Sequence, residues 1–92
     1  MQLLQIAVPE RLGAVCAEAA TRLAGGATLL QGLGWWVNGR GEVESEQIGW
    51  LMVGVDESRA DEVISAIKDI LRSAGESAIF YVRNEPRLEW LQ

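Results

Sequence analysis

Residues 27–37, Ala-Thr-Leu-Leu-Gln-Gly-Leu-Gly-Trp-Trp-Val, constrain the fold more than any other stretch of this chain. Their period-2 pattern reads as a β-strand in which neither face is polar. Leu29, Leu33, Trp35 and Val37 fall on one side, Leu30 and Trp36 on the other. Gly32 and Gly34 interrupt the run. Glycine inside a strand gives up side-chain packing and marks a bulge or a close approach by another backbone or a ligand. Two adjacent indoles beside such a point are either packing anchors or a stacking surface.

The remaining segments supply a layer for this strand to pack on. Residues 2–8 alternate as a first strand, and Pro9 suits the first turn of a helix over 9–24. Leu12, Val15, Cys16, Ala19 and Leu23 give that helix an apolar stripe, and Gly25-Gly26 ends it. Asn38-Gly39-Arg40-Gly41 is a turn signal, followed by a strand over 47–55. That strand is again apolar on both sides, with Leu51, Val53 and Val55 opposite Ile48, Trp50 and Met52. Asp56-Glu57-Ser58 opens a second helix, with Ser58 as N-cap. Its stripe is Ala60, Val63, Ile64, Ile67, Leu71 and Ala74, and Gly75 closes it. Residues 78–82 form a fourth strand that Asn84-Glu85-Pro86 ends, leaving 83–92 as a C-terminal tail whose Trp90 reaches a neighbouring subunit.

The order β-α-β-β-α-β predicts an α+β, ferredoxin-like domain over 1–92, an antiparallel sheet with two helices on one face. The apolar open face then predicts a homo-oligomer in which the sheet backs bury one another. A chain of 92 residues buries only about 60–65% of its unfolded surface, so association would also add stability.

Composition removes several classes of function. The net charge of −5 argues against nucleic acids and anionic membranes as partners. There is no histidine, hence no Ser-His or Cys-His nucleophile and no imidazole metal ligand. Glu42, Glu44 and Glu46 read as a solvated hairpin arm, and without His or Asp among them no metal site is expected. No cofactor is expected either. Cys16, the one cysteine, falls on the first helix's stripe as a buried thiol. No signal pattern opens the chain and no apolar run approaches the ~20 residues of a membrane span, so a cytoplasmic protein is expected.

Gly26-Ala27-Thr28, Gly32-Leu33-Gly34 and the turn after them resemble the PII family pattern, in which Gly-x-Thr opens strand two and Gly-x-Gly precedes the T-loop. Ser73-Ala74-Gly75-Glu76-Ser77-Ala78-Ile79-Phe80 is similar to the PII B-loop leading into strand four. The resemblance covers roughly residues 3–83, mainly as spacing, and the CutA proteins share the architecture. It implies a trimer that holds an adenine or related signalling nucleotide in clefts between subunits, with the T-loop reporting occupancy to a partner. The chain departs from the pattern in a short T-loop equivalent, about residues 38–46, and in a shortened B-loop with Ser77 or Ala78 where the family has lysine. Phosphate charge would then come from Arg40, Arg83 or Arg87.

The candidate ligand-binding residues are therefore Gly34, Trp35, Trp36, Arg40, Gly75, Ser77, Arg83 and Arg87. Trp35 or Trp36 would stack on a base, and paired arginines would clamp an anion. Against the B-loop stands the dipole of the second helix, whose negative end points there. The reading is a homo-oligomeric, trimeric binding protein for a small anionic ligand, serving signalling or sequestration of the kind phage counter-defence proteins carry out. Two readings stay beside it. One is an interaction or inhibitor module whose acidic 42–46 arm, within the 38–46 hairpin, engages a basic protein target. The other is an enzyme of the dimeric α/β-barrel type using Glu44, Glu46 or Tyr81.

Overall fold

Alternating apolar residues set the register of a five-stranded antiparallel sheet. The computed structural model describes all residues 1–92. β1 (Gln2–Pro9) leads through a 3-10 turn (Glu10–Leu12) into α1 (Gly13–Ala24). β2 (Thr28–Val37) and β3 (Val43–Val55) form a hairpin, α2 (Glu57–Ser73) follows, and β4 (Ala78–Arg83) and β5 (Glu85–Trp90) form a second hairpin. The spatial order is β2-β3-β1-β4-β5. Leu4, Ile6 and Val8 of β1 stand opposite Val53, Leu51 and Gly49 of β3, while Ile6 also pairs with Tyr81 of β4. These residues and their β3 neighbours point to the helices. Leu4, Ile6, Leu51, Val53, Ile67 and Leu71 are fully buried and form the centre of the core.

The expected first-to-fourth strands and both helices are present, with three corrections. First, the tail is not loose, because residues 85–90 form an edge strand paired to β4. Pro86 ends no sheet here, since an edge strand tolerates a missing N–H. Leu91 beyond it is buried, its N–H bonded to the Ser77 carbonyl at 2.8 Å and its own carbonyl accepting from Arg72 Nε at 2.9 Å.

Second, β3 begins at Val43, so the arm carrying Glu44 and Glu46 is paired strand and only 38–42 is turn. Asn38 organises that turn by accepting the N–H groups of Arg40 and Glu42 on its side-chain oxygen at 2.9 and 3.0 Å. Third, α1 starts at Gly13 after the 3-10 turn, which rotates its buried face onto Gly13, Cys16 and Ala20 and leaves Val15 exposed.

Asp56, not Ser58, occupies the N-cap of α2. At the other end Gly75, at φ +85°, closes a double C-terminal clasp. Its N–H reaches the Arg72 carbonyl and that of Glu76 reaches Leu71. Only a residue tolerant of the left-handed region fits there.

Candidate functional site

The open face of the sheet, away from the helices, carries Leu30, Trp36, Ile48, Trp50, Phe80, Leu88 and Trp90. Each pairs across strands with another residue of that face: Leu30 with Trp50, Gly32 with Ile48, Trp50 with Ala7, Ala7 with Phe80, and Phe80 with Leu88. Leu30, Trp36, Phe80, Leu88 and Trp90 are exposed. Trp50 is half-buried, donates its indole N–H to Gln5 Oε1 at 3.1 Å and stands 6.4 Å from Phe80, ring centre to ring centre.

Gly32 and Gly34 lie on this face too, and their missing side chains leave a furrow in β2. Ile48 fills its edge, with Cγ2 placed 3.4 Å from where a Gly34 Cβ would stand. Beyond the furrow rises the Trp36 ring. Between it and the β4–β5 hairpin is a cleft of about 490 Å³. Trp36 and Glu46 form one wall, Ala7, Pro9 and Ile48 the floor, Phe80 and Leu88 the far wall, and Leu71, Glu76 and Ser77 one end. An apolar concavity with a few polar groups at its rim is the ordinary form of a small-molecule site.

The structure gathers only some of the residues expected to form a site. Trp36 and Ser77 line the cleft, and Gly34 adjoins it beside Ile48. Gly75 shapes the end of α2 two residues before Ser77. Trp35 faces the helix side of β2 and is 65% exposed. Arg83 is bonded to Asp61 of α2, and Arg87 lies 3.9 Å from Glu85; by strand alternation both stand on the helix side of the sheet. Arg40 sits at the hairpin tip, 4.0 Å from Glu42. The three arginines therefore do not meet at the cleft within one subunit. Glu46, expected at a site only in the enzyme reading, lines the cleft, as do Ile48, Phe80 and Leu88, which were not expected as site residues. The signal for them is cross-strand: once β4 pairs with β1, Phe80 falls beside Ala7 and Trp50.

Electrostatics add a sharp asymmetry. All eight Lys and Arg side chains lie within 4.0 Å of a carboxylate. Glu10, Glu44, Glu46, Asp56 and Glu57 are the carboxylates left without a cation, and two of them, Glu44 and Glu46, lie on the open face beside Trp36. No lining residue of the cleft is cationic. Glu76 at its end is paired with Arg11 at 3.3 Å.

A second polar group lies on the opposite side of the sheet. Glu89 of β5 accepts hydrogen bonds from Lys68 of α2 and from the Tyr81 hydroxyl. These bonds hold the Glu89 carboxyl below its usual range, while burial and the neighbouring carboxylate push Tyr81 up. This group ties the edge strand to α2 and does not open onto the cleft.

No family model matches the chain, and no curated protein matches it. A solved structure does. A phage SAM lyase in complex with S-methyl-5'-thioadenosine superposes with a TM-score of 0.70 over 97% of this chain and 88% of that one. Sequence identity is 11%, so the likeness is one of fold.

Proposed function

We propose that this protein is a homo-oligomeric binding protein for an adenosine-type nucleoside, held in the cleft beside Trp36 and used for signalling or sequestration. The reading keeps a ferredoxin-like plan of PII type, with β5 as an added edge strand and a trimer as the favoured assembly. The observation that carries it is the cleft itself, a concavity of about 490 Å³ with polar and apolar surface in similar shares, lined by an exposed indole at the end of a glycine furrow. A purine needs a flat apolar surface to stack on and polar groups at its edge, and Trp36, Ser77 and Glu76 supply these. The phage SAM lyase of similar fold is a protein bound to a thioadenosine, which supports the same ligand class. The apolar open face and the doubly apolar β2–β3 arm support burial against further copies.

The test is calorimetric titration with adenosine and S-methyl-5'-thioadenosine. Saturable binding that Trp36→Ala weakens at least about tenfold is expected, the size of one lost base stack. Absence of binding to both compounds would refute the reading.

The fold likeness to a lyase favours one second reading, an enzyme acting on SAM in the same cleft. Glu46 would then face the sulfonium charge of the substrate. Incubation with SAM separates the two, since release of S-methyl-5'-thioadenosine faster than in a protein-free control is a result only the enzyme gives.

A further inference from the structure

We infer that the cleft selects its ligand by charge, admitting a nucleoside whose 5' substituent is neutral or cationic and rejecting phosphorylated nucleotides, with Glu46 as the residue that sets this preference. The inference rests on the cleft being a nucleoside site and adds the chemical class of the ligand.

Three features point the same way. Glu46 has no cation partner and lines the cleft directly opposite Gly34, where no β2 side chain shields it. The last turn of α2 reaches the cleft at Leu71, and Glu76 just beyond the helix lines it too, which sets the negative end of the helix dipole beside the cleft. Every lysine and arginine lies within 4.0 Å of a carboxylate of its own chain, so each cation that a further copy brings comes with an acid beside it. A phosphate dianion entering this cleft would lose hydration and would find the one cation at its end, Arg11, already paired with Glu76, while like charges at close range disfavour it further. An ammonium or sulfonium group in the same place would find Glu46.

The experiment compares adenosine, AMP and 5'-amino-5'-deoxyadenosine by calorimetry at pH 7 and low salt, on the wild type and on Glu46→Gln. Glu46 is exposed, and an unchanged melting temperature checks that the variant folds. AMP is expected to bind at least about tenfold more weakly than adenosine, and the amine at least as tightly as adenosine. Glu46→Gln should shrink both differences several-fold. AMP binding as tightly as adenosine, or differences unmoved by Glu46→Gln, would overturn the inference and leave the nucleoside site standing. Failure of all three compounds to bind would overturn the site itself.

Discussion

Trp35 and Trp36 are neighbours in β2 and serve opposite sides of the sheet. Trp36 walls the cleft on the open face across from Glu44, while Trp35 stands across from Ser45 on the helix side, 65% exposed. The two substitutions should therefore separate. Trp36→Ala is expected to weaken nucleoside binding at least about tenfold. If the arm is buried in the proposed homo-oligomer, Trp35→Ala is expected to shift sedimentation toward the monomer. Identical effects of both variants on binding and sedimentation would contradict this division.

Glu89 makes the stability pH-dependent at both ends. Its carboxyl is lowered below the ordinary 4.5, so its contribution is complete above that value and lost as pH falls through the lower, folded-state value. Tyr81 is raised above the ordinary 10.0, so its contribution is complete below that value and lost as pH rises through the higher, folded-state value. Glu89→Gln should cost about 1 kcal/mol at pH 7, a modest figure because the carboxylate is partly solvated. It should also flatten the acid limb. Urea unfolding from pH 3 to 7 checks this, and an unchanged acid limb would rule Glu89 out as its source.

Much of the architecture was readable because period-2 alternation and glycine-rich turns are local signals. Leu51, Val53 and Val55 face the helices and Ile48, Trp50 and Met52 the open side, as the alternation requires. β5 was harder to read. Pro86 looks like a terminator, yet Pro86, Leu88 and Trp90 alternate with Glu85, Arg87 and Glu89, and the charged face is made tolerable by Tyr81 of the paired β4 and by Lys68 of α2. The arginines misled for the same reason. Nothing local tells that Arg83 is engaged with Asp61, or that Arg87 lies on the side of the sheet away from the cleft. Conversely, Glu46 looked like one of three solvated charges until its register with Gly34 placed it in the cleft.

Leu91 is expected to anchor the edge strand. It is buried at the end of β5, so Leu91→Ala should cost about 2 kcal/mol, at the low end for a core leucine because the site is near the terminus. Urea denaturation measures it, and a change below about 0.5 kcal/mol would show the end of β5 to be loosely held.

Cys16 should be silent in the native protein. Burial alone pushes its thiol up to about 11, and α1 packs it into the core. A thiol reagent such as dithionitrobenzoate is expected to react with it only after unfolding, because the thiolate is the reactive form. Full labelling within seconds under native conditions would contradict its placement.

The most direct test of the central claim is native mass spectrometry of the protein mixed with S-methyl-5'-thioadenosine, for the wild type and Trp36→Ala. A homo-oligomer, a trimer first among the choices, is expected to retain one nucleoside per chain, with the adduct lost in Trp36→Ala. A bare monomer that retains no nucleoside would contradict it.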